Sequence, residues 1–270
     1  MVIKVLMGAV KVGKFDDLMA EARQRPFEGW DHSYGGRIVT EEPWDFGTLV
    51  DAMAAVSPDL LDMGTGGGEW LSARRLPGRV VATEGWAPNV PVAKARLSPL
   101  GIEVIAVDGA PENIEQEEGA EEGELPFPDG SFHLVVNRHE SYVASEVLRI
   151  LTPGGCFVTQ QVASTIARDF HRLLGETSPP IAKAWDLDFA IRQIIEAGFA
   201  IEEQAQGAQL MRFADVGAFA WYLKSLPFIV PDFSIDRAWA QLARLHDATG
   251  EKGIEVRQPI FRLTARKSMA

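Results

Sequence analysis

A glycine-dense turn at residues 64–68 constrains the fold of this chain more than any other stretch. It follows the short apolar run Leu60-Leu61-Asp62-Met63 and precedes Glu69-Trp70-Leu71, which favours a helix. This pattern predicts a strand, a tight loop and a helix, an arrangement that suits a nucleotide-like ligand. Glycines serve here because the loop must bend sharply and let a ligand approach backbone atoms that a Cβ would shield.

Apolar runs and helical patterns alternate along the chain, which is typical of an α/β domain with a parallel sheet. We interpret residues 27–39 either as an ordered loop packed on the domain or as a wall of a substrate site. The glutamate-rich stretch 109–130 is typical of a solvated loop, and we assign it no chemistry. Strands are predicted at 60–63, 79–83, 103–107, 132–136, 156–161 and 199–205, with a closing strand after Pro259, and helices at 14–25, 43–56, 68–76, 90–98, 141–151, 167–174, 186–197, 215–225 and 234–249.

Composition narrows the class of protein. With 270 residues, 46% of them hydrophobic, the chain can bury the core of one large domain or of a domain with an elaboration. The net charge of -12 argues against a general binder of nucleic acid or anionic membranes. The single cysteine, Cys156, has apolar neighbours and predicts a buried strand and a reducing, cytoplasmic location. We expect no membrane span, and residues 1–12 are interpreted as a terminal strand or arm, not a signal peptide.

Two ligand classes use a glycine loop of this kind, dinucleotides and S-adenosylmethionine. The dinucleotide fingerprint fits in part: Gly64 and Gly66 match, but Glu69 stands where close helix packing requires Gly or Ala. Glu84, at the end of the second strand, suits the ribose hydroxyls of either ligand. Acidic or amide residues follow four successive strands, at the sheet edge where open α/β folds bind ligands; they are Asp62, Glu84, Asp108 and Asn137.

These strand ends resemble one family when they are taken together with two further stretches. The stretches are Leu125-Pro126-Phe127-Pro128-Asp129-Gly130 and Leu151-Thr152-Pro153-Gly154-Gly155. The sequence is similar to the class I S-adenosylmethionine-dependent methyltransferases of the small-molecule type, in particular the quinone-biosynthesis methyltransferases, over residues 58–162. The resemblance implies a Rossmann-like, doubly wound, mostly parallel sheet with an antiparallel last strand and helices on both faces. It also implies four segments: an N-terminal helical or lid segment at 1–57, the cofactor-binding core at 58–208, a substrate-side helical segment at 209–254 and a closing strand at 255–270.

The same resemblance implies roles for individual residues. Asp62, Gly64, Thr65 and Gly66 would lie against the methionine part of S-adenosylmethionine, and Glu84 would bond both ribose hydroxyls, as a carboxylate does well. The adenine would lie beside Gly85 and Trp86 and meet Asp108, Gly109 and Ala110 at its edge. Asn137, Arg138 and His139 would lie between the cofactor and the methyl acceptor. No metal site is predicted.

Methyl transfer from a sulfonium is an in-line displacement that depends chiefly on orientation, and a base is needed only for a protonated acceptor. His139 is the candidate base, because imidazole titrates near neutral pH; it could instead fix its own loop by hydrogen bonding. Glu140 could orient His139 or begin the next helix. His32 and His171 are weaker candidates. We predict that replacing His139 with alanine lowers turnover and leaves cofactor affinity nearly intact.

Three functions remain open at this point. The first is methyl transfer to a small organic acceptor, which residues 27–44 and 211–236, rich in aromatic side chains, would enclose. The second is an NAD(P)-dependent oxidoreductase, and the third is an S-adenosylmethionine-binding protein without transfer activity. Methylation of nucleic acid is a weaker variant of the first, because the chain is acidic.

Overall fold

One eight-stranded sheet runs through the computed structural model, which describes residues 13–27, 29–116 and 123–269. The strands are β1 (Ile38–Glu41), β2 (Asp59–Met63), β3 (Arg79–Glu84), β4 (Glu103–Ala106), β5 (Phe132–Arg138), β6 (Leu151–Val162), β7 (Phe199–Phe213) and β8 (Ile254–Lys267). Their order across the sheet is β1-β7-β8-β6-β5-β2-β3-β4.

Helices flank the sheet, and three of those in the described residues begin at an aspartate that caps the first turn. Asp45 accepts a hydrogen bond from Thr48 N (2.8 Å) and Asp186 from Phe189 N (2.9 Å), so that each carboxylate satisfies a free N–H of the first turn. Asp215 caps its helix in the same way through Gly217 N and Ala218 N. The helices are α1 (Phe15–Gln24), α2 (Phe46–Ala54), α3 (Glu69–Ser72), α4 (Asn89–Leu97), α5 (Ala144–Ile150), α6 (Arg168–Leu174), α7 (Leu187–Glu196), α8 (Val216–Ser225) and α9 (Trp239–Thr249).

The centre of the sheet is parallel. β2 pairs with β3 on one side and with β5 on the other, and all five of its residues are buried, as expected for a strand covered on both faces. The chain moves outward through β3 and β4 and then returns to the other side of β2. This reversal between β2 and β5 is a topological switch point, where open α/β sheets bind ligands. β8 runs antiparallel to both neighbours. The predicted Rossmann-like fold with an antiparallel last strand is confirmed.

Several elements differ from the prediction. β6 begins at Leu151, five residues before the predicted start at 156, and α3 ends at Ser72, four residues before the predicted end at 76. β1 overlaps the end of the predicted loop at 27–39 and lies before the predicted helix at 43–56, and it adds to the sheet by pairing Ile38 with Phe213. β7 extends to Phe213, eight residues beyond the predicted end at 205. β8 begins at Ile254 and contains Pro259, after which we had placed its start. A proline is tolerated there because β6 ends opposite Ile260, so Pro259 lies beyond the last pair with that neighbour.

Buried apolar residues form three clusters. One lies under α5 and α7 on the first face of the sheet, and another under α2, α3 and α4 on the second face. The third, which we call the cap, joins α1, α6, α8 and α9 to β1 and to the ends of β7 and β8. The cap therefore combines segments from both ends of the chain at the carboxyl edge of the sheet. Cys156 is buried in β6, as predicted. No helix within the described ranges is long and apolar enough to cross a membrane.

Candidate active site

The glycine loop after β2 adopts a conformation that side chains would hinder. Gly64 and Gly66 have φ angles of 69° and 63°, in the left-handed region that glycine enters without strain. Thr65 N donates to Thr83 O (2.9 Å), which fastens the loop to β3. A Cβ at Gly66 would lie 2.9 Å from Cβ of Trp30, so the segment before β1 covers this loop.

Glu84 at the end of β3 holds the loop from the other side. Its Oε2 accepts from Gly66 N (2.6 Å) and its Oε1 from Trp86 N (2.8 Å). Burial raises the pKa of this carboxyl group, and the two backbone donors oppose the rise. Because each carboxylate oxygen accepts about two hydrogen bonds, both retain capacity for a ligand hydroxyl. The Trp86 side chain beside it is half exposed.

A narrow cleft lies between the ends of β2, β3 and β4. A Cβ at Gly85 would lie only 3.2 Å from Cα of Gly109, so two glycines let the neighbouring strand ends approach closely. The cavity here is about 20 Å³, and a neighbouring cavity of about 700 Å³ shares part of its wall. Six of the predicted cofactor or catalytic residues line the smaller cavity: Gly64, Gly85, Asp108, Gly109, Ala110 and Glu140.

Two predicted residues at the end of β5 point elsewhere. Asn137 is fully buried and its Oδ1 accepts from Thr159 Oγ1 (2.9 Å) and Gln161 Nε2 (2.6 Å), inside the sheet. Arg138 pairs with Glu42 (3.3 Å) and lies over the ring of Trp70. Asp62 is buried beside these strands, and burial raises its pKa to about 7. Direct cofactor contacts by Asn137 and Arg138 remain a prediction.

His139 has a backbone φ of 62°, and its N–H donates to Gln160 O (2.8 Å). Trp44 Nε1, which can only donate, is 2.5 Å from Gln160 Oε1, so the amide nitrogen of Gln160 faces Nε2 of His139 at 3.4 Å. Nε2 must then accept, which places the proton on Nδ1. Nδ1 is buried without a hydrogen-bond partner among the described residues. Burial lowers the pKa of the ring to about 3, so His139 is neutral near pH 7 and presents an N–H donor.

Sequence reasoning missed the residues that set this tautomer. Gln160 and Gln161 were predicted only as strand, yet two glutamines ending an apolar strand are a signal that could have revealed them. Trp44 and Glu42 carried no such signal. His32 lies near enough to lower the pKa of His139, and its ring is 5.6 Å from that of Tyr222. His171 pairs instead with Glu176 in the region of α6.

Comparison of the sequence and the structure with known proteins identifies a domain in this chain. Residues 61–159 match the model of a methyltransferase domain. The chain therefore carries a methyltransferase domain over these residues. The methyltransferase is similar in structure to a proposed methyltransferase from Bacillus halodurans C-125, with 19% identity over 83% of this chain and 99% of that one, and a TM-score of 0.56. It is also similar to the YcgJ protein from Bacillus subtilis, with 15% identity, coverage of 83% and 98%, and a TM-score of 0.55. At these identities the two structures show the fold alone. No curated protein matches the chain.

The residues present fit S-adenosylmethionine as the cofactor of the methyltransferase. Glycines line the loop and the close approach of β3 to β4, where a Cβ would crowd neighbouring residues. Glu84 offers acceptor oxygens, and the acidic cleft suits a ligand that carries cationic groups. The alternative of an NAD(P)-dependent oxidoreductase is set aside by the domain match. The resemblance to quinone-biosynthesis enzymes remains a prediction.

The loop conformation leads to a test on Gly64. Gly64→Ala is expected to destabilise the protein by about 2 kcal/mol, because alanine is strained at positive φ and its Cβ would lie 2.5 Å from Cβ of Glu140. Gly78→Ala is the matched control, since a Cβ there meets nothing within 4 Å. Chemical denaturation measures both variants. Equal stabilities would contradict the assignment of a constrained loop.

Proposed function

We propose that the methyltransferase transfers a methyl group to a small organic acceptor that reaches the carboxyl edge of the sheet from the cap side, by in-line displacement. The observation that carries this proposal is the position of His139. It directly follows β5 at the switch point, next in sequence to Glu140 in the cofactor cleft, and close to His32 beside the cap. A side chain that lies between the cofactor cleft and the cap is suited to hold a methyl acceptor close to the cofactor.

The cap side of the proposed site is aromatic. Phe27 stacks on His32 with ring centroids 5.3 Å apart, and Trp30 and Tyr222 contact the same imidazole. Such walls suit a planar or apolar small molecule. Trp221 and Tyr222 are otherwise buried in the cap, which accounts for most aromatic residues of 211–236 as packing. We propose that residues 1–57 and 209–254 form the substrate side and that the chain acts in the cytoplasm without a nucleic-acid partner.

Each residue has a specific task in this mechanism. Gly64, Thr65 and Gly66 would lie along the cofactor, Glu84 would bond its ribose, and Asp108, Gly109 and Ala110 would border its adenine. When bound, S-adenosylmethionine supplies an activated methyl group on a sulfonium centre. The protein holds the acceptor in line with that group and excludes water, which accounts for most of the acceleration that such a site gives.

His139 would position the acceptor through its Nδ1–H. A ring whose pKa is lowered to about 3 is a weak base near pH 7, and its acceptor nitrogen already faces Gln160. An N–H donor with no partner in the described part of the chain, by contrast, is suited to an oxygen or nitrogen atom of the substrate. The geometry therefore favours a positioning donor over the general base that the sequence suggested.

The test begins with calorimetric titration of the purified protein with S-adenosylmethionine, S-adenosylhomocysteine, NAD and NADP in parallel. Saturable binding of the first two alone is the expected result. Incubation with S-adenosylmethionine and a panel of planar and apolar hydroxyl, amine and carbon acceptors then follows, with mass spectrometry to detect a methylated product. Methylation of nucleic acid or protein, with no small acceptor modified, would contradict the proposed substrate class.

A further inference from the structure

The Glu140 side chain crosses the cofactor cleft. A Cβ placed on Gly64 would lie 2.5 Å from Cβ of Glu140 and 3.0 Å from its Cδ, so the stem of Glu140 packs on the glycine loop. Its Oε1 extends to 4.0 Å from the Cβ position of Gly109, at the end of β4. The carboxylate thus lies between the loop assigned to the methionine part and the strand end assigned to the adenine, and no hydrogen bond within the described structure joins it to the His139 ring.

The surroundings of this carboxylate are acidic. Asp108 lines the same cleft, and the charges of Glu84 and Glu112 act on Glu140, while no lysine or arginine is among the described residues of the cleft wall. No described residue donates a hydrogen bond to the carboxylate. Burial, and then these two glutamates, raise the pKa of Glu140 to about 7. A partly buried carboxylate without a partner is unfavourable, and a cation nearby would relieve it.

We propose that the Glu140 carboxylate makes the cleft select the cationic cofactor over its neutral product. This inference rests on the proposed function of the site. S-adenosylmethionine carries a positive sulfonium centre that S-adenosylhomocysteine lacks, and the two molecules are otherwise alike apart from one methyl group. A carboxylate close to that centre therefore stabilises the first and gives the second no comparable gain. The consequence is weaker inhibition by the product of each turnover.

The other acids of the site are less suited to this selection. Glu84 already accepts from Gly66 N and Trp86 N, and its predicted ligands, the ribose hydroxyls, are common to cofactor and product. Asp108 is exposed, so solvent and salt screen its charge. Asp62 lies behind the loop, where Arg138 offsets its charge. Among the acids that the structure describes, Glu140 alone combines a partly buried position, an unpartnered carboxylate and a place in the cleft.

Protonation provides an independent readout. With the Glu140 pKa near 7 in the free protein, a cation beside the carboxylate lowers that pKa and displaces a proton on binding. Affinity for S-adenosylmethionine should fall as the pH drops below about 7, relative to the affinity for S-adenosylhomocysteine. Glu84, whose pKa is also raised, affects both ligands alike and cancels in the ratio.

Glu140→Gln tests the inference, because it removes the charge and keeps the shape. Calorimetry with S-adenosylmethionine, with sinefungin, which has an ammonium in place of the sulfonium, and with S-adenosylhomocysteine should show that the two cations bind about tenfold more weakly. The neutral product should bind as before or more tightly. Glu112→Gln, which removes the same charge from an exposed position, should change the ratio of affinities less than about twofold. Titrations in buffers of different ionisation enthalpy should detect proton release that disappears in Glu140→Gln.

Two results would overturn the inference. If Glu140→Gln weakens the cations and the product equally, or leaves all three unchanged, Glu140 is not a charge selector although the cofactor assignment stands. If the unaltered protein binds neither S-adenosylmethionine nor S-adenosylhomocysteine, the cofactor assignment fails and the inference fails with it.

Discussion

Glu84→Ala is expected to weaken S-adenosylmethionine binding by about a hundredfold. Two effects add. The substitution removes the carboxylate that would bond the ribose hydroxyls, and it releases Gly66 N and Trp86 N, which hold the glycine loop in its binding conformation. A buried N–H without an acceptor is unfavourable, so the stability of the protein should also fall, by about 2 kcal/mol. Calorimetric titration and chemical denaturation measure the two effects separately.

Two controls separate ligand contact from loop support. Glu84→Gln keeps one acceptor oxygen for the loop and loses the charge, so its affinity should lie between those of the unaltered protein and the alanine variant. Glu103→Gln changes the same charge at the opposite, amino end of β4, where the residue is exposed, and should bind the cofactor normally. Binding by Glu84→Ala within about threefold of the unaltered protein would show that this carboxylate does not hold the cofactor.

The central sheet could be predicted from the sequence because each of its strands is short, apolar and followed by a polar turn. β2 is buried throughout and carries a continuous apolar signal, and the glycines after it fix where it ends. β1 could not be found in this way, because its four residues pair only with β7, about 170 positions later. Beyond the predicted end of β7, the polar residues Gln206 and Gln209 and the glycine at 207 interrupt the strand pattern, and pairing with β8 and then β1 continues the strand to Phe213.

The residues of the candidate site likewise divide into those that the sequence could place and those that it could not. Residues that follow strands, such as Glu84 and Asp108, could be placed at one edge because parallel strands bring their carboxyl ends together. The contact between Trp44 and Gln160 joins positions 116 residues apart, and no local sequence pattern predicts it. Glu140 shows the difference most clearly. Its position before a predicted helix suggested that it orients His139 or begins that helix. In the structure, its side chain packs on Gly64 and points into the cofactor cleft.

His139→Gly is expected to lower kcat by about a hundredfold, the loss typical of removing one well-placed donor or proton-transfer group. Glycine is a better choice than alanine, because the φ of 62° at this position would strain alanine and confuse loss of function with loss of stability. Cofactor affinity should change little, since His139 does not line the cleft between β2, β3 and β4. Steady-state kinetics with the acceptor found in the panel, together with calorimetry, measure both quantities.

His139→Asn decides which task the imidazole performs. Asparagine tolerates a left-handed backbone and can carry an N–H on an atom next to Cγ, as Nδ1 does, but its amide cannot accept a proton. If His139 is a positioning donor, asparagine should restore kcat to within about tenfold of the unaltered protein. In the unaltered protein, the pH profile of kcat should then show no titration of His139 between pH 5 and 9, because burial lowers the pKa of its ring to about 3. A general base predicts that asparagine is as slow as glycine. In that case, the contact with Gln160 must break in the loaded site so that the ring proton can reside on Nε2, which leaves Nδ1 free to accept a proton from the substrate.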